Sequence, residues 1–427
     1  MPDVRIWKGH LARPVGLGGL ALAAVALGVV QQGIAVVVLG AGSETDALFA
    51  GYALPQIVLA VLGTTLANVL VPLLAGEDGE EVRGAAWTLF AGATVAFGGV
   101  ALVLGSTAPL WTPVLFPGFE GPVQELAVEL TRIQLVGMVF SAQAVVLSAV
   151  YQSRGSFRWA GVTPVIGGAA GLAFMVLTIG GLGVHAAAWA SNVRLGLQAS
   201  LLYPILGSFV MPNRRASLVR EAWRRSRPLV LACAYYRSDI LVDRWLASLT
   251  PAGGLSLLFL ASRLYSVGAQ VVNSAITLPE TPALAMAAKE ERWSFFADRY
   301  RRLVTVVLAM TGSLYLLALG GLPVLNLMAP DVLGDQLWTF WLLLLALGGV
   351  LVAGGTGQVL SSAHYATGDT RTPTRIGIVG FTVGILLKLA GLHALGLVGI
   401  ALGTSLYYIG IGFALHGAMK RRLARAR

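Results

Sequence analysis

Cysteine is almost absent: the chain of 427 residues holds one, Cys233, inside an apolar run, so neither a disulfide framework nor a cysteine-based metal site can form. Histidine is sparse as well, five scattered residues without a ligand cluster, and no metal or other cofactor is expected. Charged residues make up only 12%, too few to cover a soluble protein of this length. The regular alternation of a membrane β-barrel strand is missing too. The largest loops have only about twenty residues and offer neither carboxylate pairs nor histidine at a membrane surface, which argues against a membrane enzyme such as a prenyl-phosphate glycosyltransferase or phosphatase.

Apolar length is what the chain has. With 56% hydrophobic residues and a mean hydropathy of +0.76, its solvent is a bilayer. Helical spans able to cross ~30 Å of hydrocarbon are expected near Val15–Leu39, Ala47–Leu74, Ala85–Leu104, Leu126–Val150, Trp159–Ile179 and Val184–Leu206. Six more are expected near Pro228–Leu249, Leu255–Met286, Leu303–Leu327, Leu337–Leu360, Pro373–Leu392 and Leu395–Met419. The first stretch is too long for a signal-peptide core and lacks a small-residue cleavage site, so it reads as a retained span. Met1–Arg13 reads either as a helix along the inner surface or as a tail.

The net charge of +10 raises the question of nucleic acid, and its distribution answers it. Of the 30 Lys and Arg, 24 fall in the tails and one alternating set of loops, while the opposite loops hold acids such as Glu44, Asp46, Glu120 and Glu125. By the positive-inside rule both termini and the segment Arg214–Arg227 are cytoplasmic. The basic runs therefore read as topology signals touching anionic membrane lipids, with no nucleic acid as partner.

The chain also repeats itself. Leu147, Ser148, Gly155 and Arg158 recur as Leu360, Ser361, Gly368 and Arg371, and Leu182, Gly183 and Ala188 recur as Leu395, Gly396 and Ala401, all 213 positions on. We expect an all-α integral membrane protein of about twelve spans in two pseudo-symmetric six-helix lobes, 1–208 and 228–427, joined by a basic cytoplasmic linker at 209–227.

Several charges fall within the expected spans, where each needs a partner or a watery cavity. Arg194, Arg237 and Arg263 all lie near mid-span and are candidates to line a cationic cavity for a phosphate-bearing substrate. Asp239 and Asp243, four apart, share a helix face, and Lys388 on the eleventh span reaches a similar depth; these three are candidates for ion coupling or a switchable internal pair. Arg237 pairing with either aspartate as a purely structural tie is the competing explanation. Asp243 with Arg244 reads as structural, and Arg132 beside Glu129 as a snorkelling side chain. Gln31, Gln32, Gln56 and Asn68 on the first two spans would meet sugar hydroxyls or simply hydrogen-bond between helices. Pro55 implies a kink in the second span.

Four segments carry a family resemblance. Gly40–Pro72, with Asp46 and Pro55, Val242–Leu264 with Arg263, the stretch HYATGDTRTP from His364 to Pro373, and Leu395–Ser405 resemble the MurJ/MviN family of lipid II flippases, in the superfamily that also holds MATE exporters. The resemblance implies a V-shaped pair of lobes around a cationic cavity, with Arg263 and Asp46 at the substrate. It also implies a cargo of the undecaprenyl-pyrophosphate sugar type, and a cycle in the cytoplasmic membrane driven by a coupling cation or the membrane potential. The sequence departs from the family pattern in having Gln31, Gln32, Val58 and Leu59 where the family places arginines, in ending after twelve expected spans rather than fourteen, and in Lys388, which is expected to replace a bound sodium ion as partner to Asp239. A MATE-like antiporter of an amphipathic molecule and a non-transporting envelope-assembly scaffold are the alternatives. The major facilitator fold is disfavoured because its basic Gly-Asp-Arg loop reads GEDGEEVR here.

Overall fold

The structure, a computed structural model, describes residues 4–74, 80–213, 220–221, 224, 238–328 and 334–425. Among these residues the chain is helical and contains no strand, as it must if backbone groups in lipid are to find partners within their own segment. It divides into two compact units, Met1–Gly253 and Gly254–Arg427. The first holds α1 (Val4–Leu39), α2 (Ser43–Gly51), α3 (Ala53–Leu74), α4 (Glu80–Ser106), α5 (Ala108–Leu115), α6 (Pro122–Ser153), α7 (Phe157–Leu182), α8 (Val184–Leu202) and α9 (Asp239–Ser248). The second holds α10 (Gly254–Val272), α11 (Leu278–Lys289), α12 (Trp293–Met328), α13 (Leu337–Ala346), α14 (Gly348–Ala366) and α15 (Arg371–Arg425), the last broken into two arms at Gly396. Among the described residues eight helical stretches are long and apolar enough to cross a membrane. Most of the expected linker, 209–227, lies outside the described residues.

The internal repeat is written into the backbone. Among the described residues nine glycines adopt positive φ, a region that costs any residue with a Cβ, and eight of them form four pairs 213 positions apart. Gly40 and Gly253 have φ of 79° and 90°, Gly121 and Gly334 51° and 48°, Gly155 and Gly368 75° and 76°, Gly183 and Gly396 53° and 59°. The corners are thus the same corners used twice.

Packing repeats as well. In lipid, helices gain little from burying apolar surface, so close approach through small residues holds them together. Gly167 and Gly171 of α7 leave room for Gln198 and Arg194 of α8; their counterparts Gly380 and Gly384 leave room for Ile411 and Tyr407 in the two arms of α15. Asn192 Nδ2 donates to the Ile133 carbonyl at 2.8 Å, and the matching Ser405 hydroxyl donates to the matching Ala346 carbonyl at 2.5 Å. The clusters around Leu147, Leu202 and Leu206 and around Leu360, Leu415 and Met419 are the same cluster in each unit. Large apolar side chains that remain exposed, among them Leu102, Leu177, Leu316 and Phe413, lie on membrane-length helices and suit contact with lipid.

The corner between α14 and α15 carries polar additions of its own. His364, 1% exposed, places Nδ1 3.3 Å from Asp369 Oδ2 and Nε2 3.2 Å from the Leu415 carbonyl. Arg422, near the end of α15, reaches Asp369 at 3.4 Å and donates to the Thr367 carbonyl at 2.8 Å. Burial pushes the Asp369 carboxyl up, but hydrogen bonds from Thr372 and His364 outweigh it and hold the group below its ordinary value of 3.8. A depressed carboxylate stabilises the fold above its unfolded pKa and loses that contribution as pH falls through the lower folded value. The latch should therefore be intact at neutral pH and fade only below about pH 3.8. Asp369→Asn at neutral pH is expected to raise hydrogen exchange at residues 367–372 by roughly 3–10-fold, the worth of one partly exposed charge-assisted bond; unchanged exchange would show that the latch is inert.

Candidate functional site

The first unit holds a polar strip inside its membrane helices. Arg194, half-buried and midway along α8, packs its Cβ against Gly171 of α7 and its guanidinium against α1, where a Cβ on Gly28 would lie 3.1 Å from Nη1. Two glycines make this niche for a long side chain. Among the described residues no hydrogen bond or ion pair engages the Arg194 side chain, so all five N–H donors remain available to a ligand.

One turn along, α1 contributes Gln31 and Gln32 and α8 contributes Ser191 to a cavity of ≈ 30 Å³, completed by Tyr52, Gln134 and apolar neighbours including Met175. Gln31 is 6% exposed. Gln134, on α6 and 3% exposed, donates Nε2 to the Leu48 carbonyl at 2.9 Å. A carbonyl can only accept, so that bond fixes which end of the amide is oxygen. Gln134 Oε1 and Gln32 Oε1 are both buried without a hydrogen-bond partner among the described residues.

Other expected residues are engaged differently. Asp46, buried in α2, accepts a 2.7 Å hydrogen bond at Oδ2 from the backbone N–H of Gly253. Gln56 accepts at Oε1 from Arg244 Nη2, 2.6 Å away, so the buried Arg244 ties α9 to α3. Asp239 and Asp243 lie half-buried on the first and second turns of α9. Arg132 is exposed and donates through Nε to the Gly105 carbonyl at 2.9 Å, while Glu129 pairs with His185 at 3.2 Å. Arg237 lies outside the described residues, and so does the side chain of Asn68.

In the second unit Arg263 is half-buried on α10 and Lys388 is 0% exposed on the first arm of α15. The Lys388 ammonium sits 5.2 Å from the centroid of the Tyr407 ring on the second arm, a cation–π arrangement. Lys388 and the aspartates of α9 belong to different units. The repeat gives this corner a further meaning: Lys388 and Tyr407 correspond to Met175 and Arg194. Each half places one cation at this helix–helix contact, on opposite partners.

Gln134, Ser191 and Tyr52 were not singled out from the sequence. The available signal was the polar amide of Gln134 in an otherwise apolar stretch, the same signal that marked Gln31 and Gln32. Among the described residues no group of three or more His, Cys, Asp or Glu is arranged to hold a metal ion.

Together these features define a multi-pass helical membrane protein of internally doubled design, with cations set inside its helices. The family described as lipid II flippase MurJ matches residues 35–426, and the chain belongs to that family. It is 25% identical to the probable lipid II flippase MurJ of Vibrio cholerae serotype O1, covering 95% of this chain and 82% of the relative. It is 24% identical to the lipid II flippase MurJ of Burkholderia cenocepacia, covering 94% and 81%. In fold it matches a lipid II flippase MurJ in an inward closed conformation with a TM-score of 0.77 at 18% identity, over 95% of this chain and 87% of that one. It matches an inward-facing MATE multidrug transporter with a TM-score of 0.78 at 16% identity, over 95% of each chain.

Proposed function

We propose that the protein is a flippase that moves a lipid-linked saccharide pyrophosphate, a lipid II-like envelope precursor, across the cytoplasmic membrane by alternating access. The observation that carries the choice of cargo is the Arg194 guanidinium, half-buried in a niche made by glycines and engaged by no side chain or carbonyl among the described residues. A planar donor fork kept available in a low-dielectric interior suits a phosphate oxygen, and it repels the cationic amphipaths that a drug exporter would carry. Family membership supports the same cargo class. In this reading twelve spans place both termini in the cytoplasm, lobes 1–208 and 228–427 flank the linker 209–227, and anionic lipids meet the basic loops. Arg263, with Arg237, adds to the phosphate-binding charge, and Gln31 and Gln32 face the sugar. No bond is made or broken in the cargo; differential binding in two conformations moves the head group.

The test is head-group translocation of a fluorescent undecaprenyl-pyrophosphate sugar in proteoliposomes, comparing the full chain with Arg263→Ala. Movement by the wild type that falls about tenfold or more in the variant is expected. A well-folded wild type that moves none of this lipid would overturn the proposal.

Lys388 is proposed to serve ion coupling, and Asp239 and Asp243 are proposed for the same role in their own unit. Lys388→Met copies the side chain of the matching Met175 and keeps most of the bulk while removing the charge. A buried ammonium used only for packing would leave translocation unchanged in this variant. We expect instead a loss of about tenfold or more with the protein still monodisperse, because the variant keeps the packing and removes only the charge that coupling would use.

A further inference from the structure

The small cavity of the first unit has an unusual chemistry: its unmatched groups are acceptors. Gln134 Oε1 is held in place by the Nε2 bond to Leu48, and neither it nor Gln32 Oε1 receives a donor from the described residues. A buried acceptor without a donor costs about 1–3 kcal/mol, so two such oxygens on residues that line one cavity favour a ligand that supplies O–H or N–H groups there. The cavity of ≈ 30 Å³ exceeds the ~10–15 Å³ that one water needs and takes a single hydroxyl or hydroxymethyl group.

Charge narrows the choice further. Arg194 follows Ser191 by three residues on the same helix, and its guanidinium lies against Gly28, one turn of α1 before the cavity-lining Gln31 and Gln32; a fixed positive charge nearby disfavours a cation in a cage that has no carboxylate. The matching corner of the second unit already contains a cation of its own, Lys388, where the first unit has the cavity-lining Met175. The first unit therefore suits a neutral donor in the cavity with an anion at the adjacent guanidinium, the two groups that a sugar phosphate carries side by side.

We propose that this cavity is a specificity site that reads one hydroxyl of the saccharide head group, with Gln32 and Gln134 as acceptors and Arg194 on the neighbouring phosphate. The inference rests on the flippase reading above and goes beyond it by naming Gln134 and a single hydroxyl as determinants of which sugar is carried. A site built around a hydroxyl rejects the deoxy analogue strongly, because its own acceptors are left unpaired.

The experiment uses the full chain in proteoliposomes with three kinds of lipid: bare undecaprenyl pyrophosphate, the same lipid carrying glucose, and a set carrying each monodeoxyglucose. The wild type is expected to move the glucose lipid about tenfold faster than one particular deoxy lipid, the worth of one hydrogen bond. In Gln134→Leu and in Gln32→Leu that ratio should fall to about one. Gln32 is only half-buried, so its variant decides the matter if Gln134→Leu is not monodisperse. If bare lipid moves but the wild type treats all sugars alike, or if both variants still discriminate, the cavity inference fails and the flippase reading stands. A sodium requirement of the wild type that Gln134→Leu removes would assign the cavity to a cation and overturn the inference as well. If neither bare nor glycosylated lipid moves, both fall together.

Discussion

Arg194→Ala is expected to slow head-group translocation by about 10- to 100-fold while leaving the protein folded. Hydrogen bonds from a charged donor contribute about 1.5–3 kcal/mol, and each 1.4 kcal/mol is a factor of ten. The folding half of the expectation follows from the surroundings: Arg194 satisfies no acceptor among the described residues, so its removal leaves no buried group unpaired. Arg244 provides the contrast, since Arg244→Ala strips the 2.6 Å bond from Gln56 and should lower stability first. Arg194→Lys should recover only part of the rate, because an ammonium is a point charge and lacks the bidentate fork that matches phosphate. Rates and thermal midpoints of the three variants, measured in the same liposomes and detergent, separate these roles. A wild-type rate in Arg194→Ala would remove this residue from the binding machinery.

The largest effect on stability is expected from Gly391→Ala. The two arms of α15 cross where Gly391 and Gly399 face each other, and a Cβ built on either meets the carbonyl of the other well inside contact distance. Backbone cannot rotate away as a side chain can, so the arms would have to part, and they would take with them the neighbouring contact of Gly403 with the Lys388 backbone. Overpacking of this kind costs about 1–3 kcal/mol or more. Gly98→Ala on α4 is the control: nothing lies within 4 Å of its added Cβ, and alanine is the better helix former by about 0.5–1 kcal/mol. The thermal midpoint in detergent should drop for Gly391→Ala and hold or rise for Gly98→Ala. Equal midpoints would show that the crossing is looser than its backbone contact implies.

How far the sequence could be read depended on the range of the signal. Helical character follows from apolar runs that only a helix can satisfy in lipid, and the doubling was visible as Leu, Gly and Arg matches at one offset. The deeper equivalences, Gly171 with Gly384 and Asn192 with Ser405, pair residues whose identity or role emerges only when the contact across the helices is seen. Charges were legible as isolated letters in apolar stretches, hence Arg194, Arg263 and Lys388. Their circumstances were not: nothing in the string distinguishes Arg194, which no other side chain engages among the described residues, from Arg244, whose hydrogen bond to Gln56 spans 188 positions. Gln56 and Asp46 show the converse. Both were sensible polar candidates, and both are occupied by groups far away in sequence, Arg244 and the N–H of Gly253. Gln134 passed unremarked because one amide in an apolar stretch reads as an ordinary interhelical bond, and only the second, unmatched end of that amide gives it a role.

The paired left-handed corners also order events in time. A chain that doubled and then drifted keeps only what neither copy can change, and four glycine pairs with nearly equal φ survive while most side chains around them have diverged. What both halves share is the frame: the corners, the glycine contacts, the hydrogen bond closing each helix pair. Whatever only one half owns records separate lives. The first half has Tyr151 and Ser156 where the second has His364 and Asp369, and Met175 where the second has Lys388. The latch and the buried lysine are thus where the two halves differ, set on corners that they share.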